Sequence, residues 1–461
     1  MIDEELQQRF DEFEDLYTTR RFAQLKELML KTEPQDIALF MEDKLADKDL
    51  LFFFRLLPKD MATDVFVEIP SDMQENLIKM FTDKELKEVI DDMFMDDTVD
   101  IIEEMPSGVV KRILKSASPT DRAIINELLE YPDDSAGTLM TTEYVALRSY
   151  MTVSDAFDKI KSTGVNKETI YTCYVTDEKR KLLGIVSVKD LLLADRSAQL
   201  DTIMESDIIT VNTLTDKEEV GMIFSKYDLL ALPVVDKEGC IAGIITIDDA
   251  VDVIQEEATE DIQKMAAILP TTDRPYLQTS VIKIYLSRLP WLLILMVSAT
   301  LTSLILGTFE DKLMIYAALY ACVPMLMDTG GNAGSQASVT VIRSLALGEV
   351  EFKDILRVIW KELRIALILG LSIALVCFGK LLLIDKLYNP EMNVWYALVI
   401  SLSLFVTIVI AKLVGATLPL LVKKCKLDPA VVASPFITTI VDAVSLLVYC
   451  GIAFSILPAV I

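Results

Sequence analysis

The chain has no histidine among its 461 residues. That removes imidazole as a general base and as a metal ligand, leaving oxygen ligands as the metal chemistry open to it. Its six cysteines (Cys173, Cys240, Cys322, Cys377, Cys425 and Cys450) form no CxxC pair, so neither a zinc site nor a disulfide framework is indicated. Basic residues are in deficit, 44 Lys and Arg against 70 Asp and Glu, which argues against nucleic acid as a partner. There is no GxxxxGK loop, so ATP hydrolysis is not expected. The start, MIDEELQQRF, is acidic and polar, and no cleavable signal peptide is expected there.

The charge is unevenly spread. Residues 1–280 carry 30 basic and 59 acidic residues, whereas residues 281–461 carry 14 and 11. An acidic soluble region is thus followed by an apolar one. The acidity fits either a solvated surface or a sensor of divalent cations. Crossing a bilayer takes about 20 apolar residues, and five spans are predicted: Leu289–Phe309, Leu313–Ile342, Ile365–Ile384, Met392–Val422 and Pro429–Leu457. The loops after the second and fourth spans hold Arg343, Lys353, Arg357, Lys361 and Arg364, and Lys423, Lys424 and Lys426. Basic loops stay in the cytoplasm. This places the soluble region in the cytoplasm and Ile461 outside.

Two features of the apolar half are costly in lipid. DTGGNAGSQASVTVIRSLALGEV, residues 328–350, interrupts the second span, and irregular backbone at that depth survives only against protein or a wet cavity. Asp442 sits in the middle of the fifth span, where a carboxylate marks a functional site by default. It is read either as a cation ligand facing a pore or as the ion-pair partner of Lys412. Pro435, below it, is expected to free backbone carbonyls. Asp328 and Lys412 lie nearer their span ends and rank lower.

In the soluble half, residues 5–133 read as short helices with Pro or Asp starts, of the kind that stack into a superhelix. Residues 138–254 contain a duplication. TVSDAFDKI and IYTCYVTDEKRKLLGIVSVKDLL are echoed by TDKEEVGMIFSKYDLLALPVVDKEGCIAGIITIDDAV. Each copy runs helix, strand, turn, strand and an Asp that opens a helix, which resembles paired cystathionine-beta-synthase (CBS) domains. Such pairs commonly bind adenosine nucleotides, with the last Asp, here Asp190 or Asp249, near the ribose. DVIQEEATEDIQKMAAILP then joins the duplication to the first span, either as a mechanical linker or as a passive connector.

Together these parts resemble the MgtE family of magnesium channels, most specifically in PMLMDTGGNAGSQASVTVIRSLA, KLDPAVVASPFITTIVD and EEATEDI. The resemblance implies a multidomain membrane protein with four parts. They are an α-helical superhelical N-domain (1–133), α/β tandem CBS domains (134–254), a connecting or plug helix (255–280) and a five-helix α transmembrane pore domain (281–461). It implies a homodimer in the inner (plasma) membrane that is no enzyme and admits Mg2+ down its electrochemical gradient. The glycines and Asn332 of the second span would face a wet axis, and Asp442 would hold hydrated Mg2+. Regulatory Mg2+ ligands would fall on Asp96, Asp100, Asp216, Glu218, Asp228, Asp249, Glu257, Glu260, Asp261 and Asp428. ATP is implied as an optional ligand, with Asp190 as a nucleotide-binding residue. Repulsion among these carboxylates would open the protein when Mg2+ is scarce, and bridging ions would close it. Two alternatives remain: a secondary divalent-cation transporter, and a non-conducting membrane sensor of Mg2+ or nucleotide.

Overall fold

The computed structural model describes residues 2–270, 276–277, 279–314, 317–390, 392–432 and 434–457. Part of the expected connecting segment, residues 271–275, and Ile461 lie outside the described residues. The chain divides into two compact units, Met1–Ile254 and Gln255–Ile461.

The first unit begins with ten short helices between Ile2 and Leu128. Their starts follow the local sequence. Pro58, Pro70 and Pro106 stand at N-caps, Pro34 and Pro119 open helices, and Thr82 forms a reciprocal capping box with Glu85. The third helix packs on the fifth, the fifth on the seventh and the seventh on the ninth, as in a stacked repeat. Phe10, Phe13, Phe40, Phe53, Phe66 and Phe81 are buried along this stack. The eighth helix, Met95–Glu104, is designated α1.

The duplication folds as two like sheets. In the first, β1 (Ala146–Arg148) runs parallel to β2 (Thr172–Thr176), which pairs antiparallel with β3 (Leu182–Ser187). In the second, β4 (Val211–Asn212), β5 (Ala231–Val235) and β6 (Ile241–Thr246) repeat that order, with α2 (Lys217–Tyr227) between β4 and β5. Both sheets carry an irregularity at the same place, Val175/Thr176 and Val234/Val235. The repeats meet at their hairpin turns, where Lys181 pairs with Cys240. Helix α3 (Ile247–Met265) follows β6 directly and runs across the boundary between the two units.

In the second unit, α4 (Val281–Met314), α6 (Ile355–Lys380), α7 (Val394–Lys424) and α8 (Ser434–Ile456) are long and apolar enough to cross a membrane. The remaining long helix, α5 (Val323–Ala346), has the length but carries polar residues along one face. It starts later than the expected second span, because Ala317–Tyr320 forms a separate short helix. Helix α7 is the hub and packs against α5, α6 and α8. Leu292, Ile294, Met296 and Val297 of α4 stay exposed, as lipid-facing side chains do.

Candidate functional site

Helix α5 shows how the polar stretch is accommodated. It is continuous through GGNAGSQ, so the backbone bonds within the helix and no irregular segment is needed. Asp328, Asn332 and Gln336, spaced four apart, are exposed and form one stripe about 12 Å long. The glycines do not share it. Gly330, Gly331 and Gly334 are buried, and a Cβ on any of them would meet neighbouring helices. At Gly330 it would come within 2.7 Å of Thr407 and 2.8 Å of Ser445, and at Gly331 within 2.8 Å of Thr438. A Cβ on Gly415 of α7 would lie 2.1 Å from the Gly334 carbonyl oxygen. Thus Asn332 is exposed, whereas the glycines face protein. They allow close helix contact, as small residues do between membrane helices.

Asp442 is half-buried on α8, and its Oδ1 has no hydrogen-bond partner. It is not ion-paired with Lys412, which is buried on α7. Burial bears most on Asp442, and the charge that reaches it is that of Asp328, a residue ranked low from the sequence. Pro435 does not free carbonyls as expected. It lies at the second residue of α8, where the helix needs no N–H, and its own carbonyl accepts from Thr439 Oγ1 at 3.1 Å. Ser335 and Thr438 hydroxyls, 3.4 Å apart, link α5 to α8 beside this region.

In the soluble unit a second group of carboxyls converges. Asp96 is buried at the start of α1, and its Oδ1 accepts from the Asp97 N–H at 3.0 Å. Burial, then Asp97, Asp249 and Glu168, push the Asp96 carboxyl well above its ordinary range. Asp97 is pushed up to about 7 by burial first and Asp249 second. Glu168 is raised to about 7 by burial and then by Asp249, Asp248 and Asp97, and its Oε2 is buried without a hydrogen-bond partner. Asp249 is raised to about 6 by burial, against a 2.7 Å hydrogen bond from Thr246 Oγ1. Like charges brought out of water hold protons, and a divalent cation can replace those protons. Asp97 and Asp248 were legible as the neighbours of Asp96 and Asp249 in two DD pairs. Glu168 has no local signal, because it comes from the first repeat. Asp100, on the same helix α1, is exposed.

The other predicted ligands scatter. Asp216 caps α2, accepting from the Glu218 N–H at 2.9 Å, whereas Asp228 ends the same helix in the left-handed region with φ 52°. The two ends of α2 lie about 16 Å apart, so Asp216 and Glu218 cannot share an ion with Asp228. Asp190 closes a capping box with Ser187, the counterpart of the Thr246–Asp249 contact in the second repeat. Asp236, Glu238 and Cys240 also bring ligand atoms within 4.8 Å of one another. There, however, Asp236 Oδ1 accepts from the Glu238 and Cys240 N–H groups and closes the hairpin turn.

In the second unit, Glu257, Glu260 and Asp261 lie on the last turns of α3. Lys264, one turn on, bonds Glu260 Oε1 at 2.6 Å and Asp428 Oδ2 at 2.7 Å. Burial pulls the Lys264 ammonium down, but the bonds to Asp428 and Glu260 outweigh it and hold the group above its usual range. Asp261 is raised by burial and then by Asp428. Asp428 therefore lies close to Glu260 and Asp261, with a lysine among them. The pairing of Glu260 with Lys264 was legible from its four-residue spacing.

These parts match known proteins in order. The MgtE model, described as divalent cation transporter, matches residues 323–452, and the MgtE intracellular N domain matches 32–134. CBS domains match 136–197 and 200–256. The magnesium transporter MgtE of Thermus thermophilus is 36% identical over 439 residues, 95% of this chain and 96% of that one. The chain belongs to the MgtE family. The MgtE of Bacillus subtilis is 32% identical over 421 residues, 91% of each chain. The soluble part of a magnesium transporter superposes with TM-score 0.51 at 28% identity, covering 55% of this chain and 99% of that one. The cytosolic domain of the Mg2+ channel MgtE in complex with ATP gives 0.50 at 34%, covering 52% and 98%. MgtE proteins are transporters, which sets the chain apart from enzymes.

Proposed function

We propose that the chain is a Mg2+ channel of the inner (plasma) membrane. In this reading it works as a homodimer with its N-terminus in the cytoplasm. It admits Mg2+ down the electrochemical gradient and closes when cytoplasmic Mg2+ occupies its carboxylates. The observation that carries the reading is the Asp442 carboxyl without a partner for Oδ1, influenced by Asp328 of a helix whose exposed stripe continues through Asn332. Mg2+ sheds water reluctantly and keeps an octahedral oxygen shell, so a few carboxylate and amide oxygens suit a mostly hydrated ion. A second copy across a two-fold axis would cover the polar stripe and double the carboxylates. Inward movement of two charges gains roughly 4.6 kcal/mol per 100 mV, so no hydrolysis step is needed.

For regulation, the supporting observation is the group Asp96, Asp97, Glu168, Asp248 and Asp249, whose mutual repulsion a divalent ion relieves. Asp249 opens α3 and Glu260 and Asp261 lie near its end, so one continuous helix carries residues of both groups. ATP is a second ligand of the CBS pair in this reading, supported by the ATP complex of the related cytosolic domain.

The test is a planar-bilayer recording of purified protein with Mg2+ as the only permeant cation. Unitary currents are expected, lost in Asp442→Ala while the protein still folds and dimerises. Slow, saturating flux without unitary currents would assign a secondary transporter instead.

A further inference from the structure

Lys264 stands on the last turn of α3, and its ammonium joins two carboxylates far apart in the chain. Glu260 is one turn behind it, and Asp428 immediately precedes the turn Pro429–Val432. Both oxygens of Asp428 are engaged, Oδ2 by Lys264 at 2.7 Å and Oδ1 by the Ala430 N–H at 2.8 Å. The three side chains are between 24% and 35% exposed, so water screens their charges only in part. A divalent ion that takes Glu260 Oε1 and Asp428 Oδ2 must therefore displace the ammonium or stand beside a like charge.

We propose that Lys264 is a tethered cation that bridges Glu260 and Asp428 when Mg2+ is scarce and is displaced by Mg2+. It thereby sets the Mg2+ concentration at which this segment responds. The inference rests on the reading that Glu260, Asp261 and Asp428 bind Mg2+. With Lys264 in place these three carboxylates carry a formal net charge of −2, and without it −3, so a neutral residue at 264 leaves a site that attracts a divalent ion more strongly. Lys264 acts on affinity through the ligands it occupies and is not itself a ligand.

The experiment uses the full-length protein in detergent. Mg2+ is titrated against proteinase K protection, and Mg2+ binding is followed in parallel by calorimetry. Choline chloride at equal ionic strength is the control. Lys264→Met and Lys264→Gln remove the charge, and Lys264→Arg keeps it. The midpoint is expected to fall about three- to tenfold in the neutral variants, the effect of one partly screened charge on a divalent site. In Lys264→Arg it should stay within about twofold of the parent. Either neutral variant suffices if the other does not fold, and Glu260→Gln, expected to raise the midpoint, provides a third route. An unmoved midpoint in a folded neutral variant, with the parent responding normally, refutes the proposal alone. A raised midpoint refutes it too, because Lys264 would then assist Mg2+. If the parent responds to choline as to Mg2+, the reading of these carboxylates as a Mg2+ site fails, and the proposal with it.

Discussion

Asp97→Asn in the isolated soluble unit, residues 1–254, makes the carboxyl group quantitative. The amide keeps the shape of the side chain and removes one charge. Asp97 is lifted from an ordinary 3.8 to about 7, by burial and then by Asp249, Glu68, Asp248 and Asp64. A carboxyl raised in this way binds its proton more tightly in the folded protein than in the unfolded chain. Its contribution to stability is complete below about pH 4, declines as the pH rises, and is lost above about pH 7. About 1.4 kcal/mol accompanies each tenfold change in proton affinity, so the ionised residue costs at most about 4 kcal/mol at pH 8. Neighbouring carboxyls share this cost and titrate together, which brings the expected gain on substitution to about 1–3 kcal/mol. Thermal unfolding in EDTA should therefore shift upward by about 2–10 °C at pH 8, by less than about half as much at pH 5 and by almost nothing below about pH 4. Added Mg2+ should stabilise the parent at pH 8 and the variant much less, because one ligand is missing. An Asp97→Asn protein that is less stable than the parent at pH 8 without Mg2+ would refute the reasoning. Asp97 would then be a structural hydrogen-bonding group and not a repelled charge.

Three further outcomes are expected. Gly415→Ala, whose Cβ would lie 2.1 Å from the Gly334 carbonyl oxygen, should reduce folded protein by about 1–3 kcal/mol of helix packing, while Gly307→Ala, with nothing within 4 Å, should behave as the parent in a detergent melt. Asp328→Asn should lower Mg2+ conductance several-fold in bilayer recordings without abolishing it, because Asp442 remains; unchanged conductance would remove Asp328 from the pathway. Asp216→Ala and Asp228→Ala, at opposite ends of α2, should shift Mg2+-dependent protease protection additively, and a strongly non-additive double variant would mean that they share one ion.

The Asp97 expectation could not have been framed from the chain alone. Asp96 was singled out by resemblance, but the cost of its neighbour's charge depends on burial and on Asp249 and Asp248, about 150 residues further on. The resemblance gave Asp216, Glu218 and Asp228 as ligands without saying which of them meet, and α2 holds Asp216 and Glu218 at the opposite end from Asp228. The resemblance implied that the glycines of α5 face water together with Asn332. Their face depends on how α5 is rotated against α7 and α8, which the positions of Gly415, Thr438 and Val441 decide.

What the sequence determined by itself was everything written at short range. Hydropathy divides the acidic half from the membrane half, and period and turn residues mark the two strand–turn–strand repeats. Thr82, Thr152 and Ser187, each three residues before an acid, mark helix starts. A lone mid-span carboxylate at Asp442 is costly wherever that span lies. Only the tertiary structure decided which carboxyls meet, that Lys264 stands among Glu260, Asp261 and Asp428, and that Asp328 rather than Lys412 acts on Asp442. The physical reason is range. Helix and strand patterns follow from bonds within a few residues, whereas charge interactions depend on distances and desolvation that the packing of remote segments creates.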